Sequence, residues 1–390
     1  MFTISVQNHR QPLSGNKLYI ALLFVCLSCF YSQAQMNEPV ARKFKVQLLL
    51  PLSLDEATEL KGADVQWQKI AVSYYQGILL ALDSLERSGF KVQLFVDDYK
   101  RDTSVIKEIL SQPSRQDLDL IIGPLYRNGF AVAERFSAKN KIPLLSPLLT
   151  FQTASSNPYS IAANPTIESY GHQLANFINT KYDSCNVVLV HDNSKTDKSF
   201  SKGFKEVYAN NRMNILQEYT HSKATHAGKY MSFGMKNLVI VPSNDERTVN
   251  AVLYQVNDTI ADKPASVFGI QSWLDLGNVN YKVWDTVDVH LLTPYYLDYD
   301  DSLVKQFVLM FRQRFAIEPD EYATRGYDQF MVMMSLLRDY GKEFVNSYGL
   351  PPVNSMHTSF ELQKKSPKSA LENGHLNLLR FHEFRFHKLQ

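Results

Sequence analysis

From Phe44 onward the apolar positions switch between two periods. Lys43–Leu50 alternates and then turns wholly apolar up to Pro51, the pattern of a strand covered on both faces. Trp67, Ile70, Tyr74, Ile78, Leu82 and Leu85 then recur at spacings of three and four. That stripe predicts an amphipathic helix, and Gly89 stops it. Strands follow over 91–96, 118–122 and 142–145, with helices over 104–110 and 128–139 between them. The rhythm restarts after a break near Ala162, Asn164 and Pro165. Helices are predicted over 167–182, 200–210 and 246–256, and strands over 186–190, near Ile215, and over 238–241 and 267–270. Strands alternating with helices build parallel sheets with helices on both faces, so the fold class is α/β. Two further helices, 302–315 and 327–340, precede a tail over 376–389 that alternates like short strands around a turn at His382-Glu383.

The start of the chain carries a different signal. The run Leu18 to Phe30 is apolar, Lys17 precedes it and Ser32-Gln33-Ala34 follows, the composition of a secretory signal peptide over 1–34. Thirteen residues are too few for a membrane span of about 20. Cleavage after Ala34 would remove Arg10, Lys17, Cys26 and Cys29. The mature chain would then hold 39 residues of each charge sign and one cysteine, Cys185. With no disulfide to form, such a domain depends on its core. Lipid attachment at Cys26 or Cys29 is the alternative to simple export. A balanced charge offers no field for a polyanion, so nucleic acid is not expected as a partner.

Catalytic motifs are absent. No phosphate-binding Gly-x-x-x-x-Gly-Lys-Ser/Thr loop, Gly-x-Gly-x-x-Gly turn or Gly-x-Ser-x-Gly elbow occurs. His382 and His387 are five residues apart in an alternating segment, so they cannot share a helical face, and no metal is expected there. Asp298, Asp300 and Asp301 read as a cap before Ser302, with calcium as the alternative. Neither an enzyme nor a cofactor is indicated.

Three stretches then acquire meaning together: Ile121-Ile122-Gly123-Pro124-Leu125-Tyr126, Lys141-Ile142-Pro143-Leu144-Leu145-Ser146-Pro147, and Phe311-Arg312-Gln313-Arg314-Phe315 followed by Pro319, Ala323 and Gly326-Tyr327-Asp328. Their order and distances resemble the type I periplasmic substrate-binding family, including branched-chain amino-acid receptors of ABC transporters and receptor ligand-binding regions. The resemblance implies two Rossmann-like lobes with parallel sheets joined by three hinge crossings. Carried onto this sequence, lobe one spans 41–163 plus 294–345 and lobe two 164–293 plus 346–390. It implies a ligand held between the lobes by Tyr126, Arg127, Asn128, Ser146, Leu149 and Thr150 from the first. From the second come His191, Thr196, Ser243, Gln271 and Trp273, with Tyr295 at a crossing. In open parallel sheets that crevice lies off the carboxyl ends of the strands.

The sequence departs from the amino-acid binders of that family. Tyr126-Arg127-Asn128 stands where a small hydroxyl residue is usual, Leu148-Leu149 follows Ser146-Pro147, Thr196 replaces an aromatic, and no acidic residue adjoins Gln271 as a partner for a ligand ammonium. Two functions stay open. One is an exported solute receptor closing on a small amino-acid or peptide-like molecule, with an ABC permease as partner. The other is an envelope interaction protein of the same fold that regulates a partner such as a peptidoglycan synthase.

Overall fold

The computed structural model describes residues 42–54, 61–150, 157–208 and 215–389. The leader lies outside them, as does the end of the helix read to Asn210. In the first half of the chain, β1 (Lys43–Leu50), β2 (Lys91–Asp98), β3 (Leu120–Ile122), β4 (Leu144–Ser146) and β5 (Ser160–Ala162) form a parallel sheet in the order 2-1-3-4-5. The registers Val46↔Leu120 and Ile121↔Leu144 align the buried residues. Successive side chains point to opposite faces. Val46, Leu48 and Leu50 therefore join Tyr74, Ile78 and Met333 on one side. Leu49 and Ile121 join Ile106 and Phe130 on the other.

α1 (Ala63–Arg87) covers the first of these faces together with α9 (Glu321–Tyr340), while α2 (Thr103–Ser111) and α3 (Arg127–Asn140) cover the second. α9 begins six residues before the sequence prediction because Asp320 caps it, accepting from Tyr322 N and Ala323 N at 2.9 Å each. α8 (Ser302–Phe315) is capped by Asp301, which accepts from Leu303 N at 2.6 Å, so the acidic triplet is used as a helix start.

The second sheet places β6 (Asn186–His191), β7 (Ile215–Thr220), β8 (Asn237–Ile240), β9 (Ala265–Ile270) and β10 (Val289–Thr293) in the parallel order 7-6-8-9-10. α4 (Ile167–Lys181), α5 (Lys195–Tyr208), α6 (Glu246–Thr259) and the short α7 (Tyr281–Thr286) flank it. β5, β10 and α7 were not predicted: each spans three to six residues, too few to display a period. β15 (Asn377–His382) adds antiparallel to β10, and β16 (Arg385–Lys388) pairs back onto it. Glu383 and Phe384 both take positive φ, as a two-residue hairpin turn requires, one position beyond the predicted turn.

One boundary needs correction. Sequence reading gave 346–390 to lobe two. Between β10 and β15, however, the chain forms a small hairpin of β11 (Val353–Asn354) and β12 (Ser359–Phe360), then β13 (Leu362–Lys364) and β14 (Leu371–Asn373). β14 pairs with β5 of the first sheet, Leu371 against Ile161. Phe344, Phe360 and Leu371 are buried in the first core, which holds this segment there. The chain makes its last passage to the second sheet between Asn373 and Asn377.

α1 and α9 touch backbone to backbone. A Cβ at Gly326 would meet the carbonyl of Tyr74, and one at Gly77 would meet that of Ala323. Neither helix can retreat without opening the core beneath it. Gly326→Ala is therefore expected to destabilise the protein by about 1–3 kcal/mol, the usual cost of overpacking. Urea unfolding of the variant against the parent measures it, and an unchanged midpoint would contradict the packing described.

Candidate functional site

The carboxyl ends of both parallel sheets carry the loops predicted to hold a ligand. In lobe one, β3 ends at Ile122 and the chain turns through Gly123 at φ +82°, where a Cβ would collide with the Leu49 carbonyl. This turn delivers Tyr126 to the N-cap of α3. Tyr126 makes no side-chain capping bond, so the first-turn N–H groups of α3 are left for solvent or a ligand. Arg127 and Asn128 are exposed beside them. The Tyr126 ring lies 4.8 Å from the Trp67 ring, and the Arg101 guanidinium stands 4.4 Å from its centroid. Arg101 also pairs with Asp64. Sequence reasoning missed Trp67 and Arg101. The stripe reading takes Trp67 only as a core residue of α1, although it lies near the start of that helix, and Arg101 stands three residues past the end of β2.

The loop after β4 is closed on itself. Ser146 is buried and its hydroxyl donates to Leu149 O at 3.2 Å. Gln329 donates to Pro147 O at 3.2 Å and Asn164 to Leu148 O at 2.8 Å. Leu148 packs against one core of lobe one and Leu149 against the other. The carbonyls of this loop are thus bound within the protein, and the two leucines lean inward. Ser146 is corrected from ligand contact to loop brace. Thr150 is half-buried.

In lobe two the loops after β6, β8 and β9 are stitched into one row. Asn244 donates to Thr196 Oγ1 at 3.1 Å, and Ser272 donates to Asn244 Oδ1 at 2.6 Å. Ser243 donates to the Asp192 carboxylate but is itself buried. Of the predicted residues, Thr196 thus stays on this row, and Ser243 lies beneath it. One prediction is corrected. Trp273 is fully buried, its ring seated where Gly269 lacks a side chain, and its indole N–H donates to Ser243 O at 3.1 Å. It braces the loop from below. His191 has both ring nitrogens engaged, Nδ1 with Asp197 at 2.8 Å and Nε2 with Glu218 at 2.9 Å.

These contacts shift three groups together. The Asp197 hydrogen bond leads in raising the His191 pKa, against a burial effect that would lower it. Burial disfavours the Asp197 carboxylate, but the bonds from His191 and Ser201 outweigh it and hold it below its usual range. Glu218 is likewise opposed by burial and held low by Lys205 and His191.

At the waist between the sheets, Tyr295 follows β10 and its hydroxyl donates to Asn164 Oδ1. Its ring stacks on His357 at 4.8 Å, and the Arg325 guanidinium stands 4.0 Å from its centroid. Burial pushes the Tyr295 hydroxyl up, which keeps it a neutral donor. His357 is held in turn by Asp328. Gln271, from lobe two, accepts from Tyr170 at 3.5 Å on the lobe-two side of this waist. Tyr295 and Gln271 therefore stand beside the crossings, while Tyr126, Arg127 and Asn128 stand at the rim of lobe one.

Two α/β lobes with mainly parallel sheets, joined by three crossings and carrying their open loops at the strand ends, constitute the type I periplasmic-binding fold. A sequence profile of the receptor family ligand binding region matches residues 75–345, and the chain belongs to that family. No curated protein matches it in sequence. Among solved structures, a putative branched-chain amino acid ABC transporter from Rhodospirillum rubrum superposes with a TM-score of 0.62 at 15% identity, over 89% of this chain and 100% of that one. An ABC transporter substrate-binding protein from Desulfitobacterium hafniense in complex with Leu gives 0.57 at 14%, over 89% and 100%. Full-length LpoA from Haemophilus influenzae gives 0.58 at 12%, over 90% of this chain and 59% of that one. At these identities the likeness is one of fold.

The His191 cluster yields a signed pH dependence. A raised histidine pKa contributes stability that is complete below the unfolded value of about 6.5 and is lost as pH rises through the folded value. The lowered carboxylates contribute above their unfolded values of about 4 and lose it on acidification. His191→Gln should therefore cost more stability at pH 5.5 than at pH 8.5 in urea melts, and an equal cost at both would contradict the cluster.

Proposed function

We propose that this chain is an exported, non-enzymatic receptor that closes two lobes on a small organic anion with an apolar body. The observation that carries the reading is the start of α3. Its first turn is uncapped by a side chain, Arg127 lies exposed within it, and Arg101 stands over the neighbouring Tyr126. Free N–H groups at a helix start beside the Arg127 guanidinium suit a carboxylate, while Arg101 is held by Asp64. Trp67 and the half-buried Leu148 and Leu149 supply apolar area next to it. From lobe two, Thr196, Asn244 and Ser272 offer neutral polar groups. The carboxylates there are already committed: Asp192 accepts from Ser243 and Ser194, and Asp197 from His191 and Ser201. A ligand ammonium therefore finds no obvious partner, which separates this site from an α-amino-acid binder such as the Desulfitobacterium hafniense protein bound to Leu.

A ligand that touches both lobes favours the closed state, since only there are both sets of contacts made. Delivery to an ABC permease is the corresponding role, and export by the leader places the protein outside the inner membrane. A second reading is regulation of an envelope partner such as a peptidoglycan synthase by a chain of this fold. The side-chain ties across the waist favour it, because Tyr295–Asn164 and Glu372–Thr166 restrain lobe movement.

A thermal-shift screen against amino acids, aliphatic and aromatic carboxylates, peptides and muropeptides separates the two. The receptor reading expects a carboxylate to raise the Tm, since a ligand at 100 times its Kd adds about 2.7 kcal/mol. Arg127→Ala should abolish that rise while leaving the unliganded Tm unchanged. No rise with any compound, together with capture of an envelope protein, would establish the second reading instead.

A further inference from the structure

The end of lobe one opposite the gap carries a second feature that the receptor reading does not use. α2 and α3 run away from the gap, so their C-terminal halves meet at the end where the parallel strands begin. Between those halves lies a cavity of about 440 Å³. Its apolar floor is formed by Leu110, Val132 and Phe136, and three cations, Lys107, Arg135 and Lys139, stand around it. All three are exposed, and no ion pair involves any of them among the described residues. The acids nearest this end are already engaged. Asp117 pairs with Lys45 at 2.5 Å, Asp119 pairs with Arg42 at 2.5 Å, and Glu134 accepts from the Ser160 hydroxyl. Glu108 follows Lys107 on α2 and is turned about 100° away from it. Lysines near a helix C-terminus are favoured by the helix dipole alone. That accounts for Lys139, but not for Lys107 and Arg135 converging with it on one cavity.

The same end receives the chain from its leader. Arg42 is fixed there by Asp119, three residues from Gln116, which lines the cavity. The apolar run ends at Phe30. The intervening dozen or so residues reach about 40 Å at full extension. Until the leader is cleaved, this basic end is thus within reach of the lipid headgroups.

We propose that the cavity between α2 and α3 docks lobe one on an anionic phospholipid surface, with Lys107, Arg135 and Lys139 around a lipid phosphate and the apolar floor under its glycerol and upper chain. The gap between the lobes then faces away from the membrane, so the docked state takes up a ligand and must be released before delivery. Each cation near such a surface contributes roughly fivefold in partitioning, so three give on the order of 100-fold.

Co-sedimentation of the full chain with phosphatidylglycerol vesicles, measured as a ratio to phosphatidylcholine vesicles, tests this. Any contribution of the leader's apolar run to both vesicles cancels in the ratio. The ratio should be large at low salt, fall as salt is added, and drop by on the order of 100-fold in Lys107→Ala/Arg135→Ala/Lys139→Ala. Lys198→Ala/Lys223→Ala/Lys282→Ala, which removes the same charge from exposed positions of lobe two, should keep it. An equal drop in that control would reduce the effect to net charge and overturn the proposal. Saturation by soluble glycerol phosphate, lost in the first variant, would make the cavity a small-anion site. Binding of polyglutamate as strong as that of the vesicles would assign it to an acidic protein. Either result also overturns membrane docking.

Discussion

The hydrogen bond from Tyr295 to Asn164 joins the first crossing between the sheets to the second, and the rest of the molecule is arranged around it. Every passage between two lobes takes polar backbone through a narrow, half-buried waist, where unpaired groups are costly. The waist answers with side chains. Asn164 also holds Leu148 O, Gln329 holds Pro147 O and accepts from Tyr74, and His357 O accepts from Tyr296 N. The final crossing is tied in by Glu372, which accepts from Thr166 N and the Ser169 hydroxyl at the start of α4. One network thus fixes the hinge and the loop after β4, and through them the floor of the gap.

That arrangement divides the polar residues into two kinds. Those beneath the loops are occupied by each other: Ser146, Ser243, His191 and the Trp273 indole all have partners within the protein. Those at the rim face solvent: Arg127 and Asn128 at the head of α3, and in lobe two the exposed Asn244, which is tied only to its row neighbours Thr196 and Ser272. Recognition falls to the second kind, while the first keeps the rim in place. Preorganisation of this sort lowers the ordering cost of binding.

Much of the scaffold was legible in the sequence. The α1 stripe from Trp67 to Leu85 and the apolar runs of β1, β6 and β8 declare themselves because long or fully covered elements repeat a pattern. β13 and β14 did not, since three-residue strands carry no period, and the attachment of β14 to β5 depends on where Phe360 and Leu371 find a core. The site was harder for a related reason. Sequence identifies a residue at a strand end but not the direction its side chain takes. Trp273 turns inward because Gly269, four residues earlier, leaves room for the indole. His191 turns toward Asp197 and Glu218, the latter from β7, whose pairing with β6 no local motif announces. Tyr126 came closer to expectation, but its partners Trp67 and Arg101 come from two other elements.

The central claim is that two lobes move about the Tyr295–Asn164 waist and meet around whatever the rim recognises. Small-angle X-ray scattering of the protein, alone and saturated with a compound that raises its Tm, tests this most directly. The account predicts a smaller radius of gyration in the bound state as the gap closes. Superimposable scattering curves with the rim occupied would contradict it.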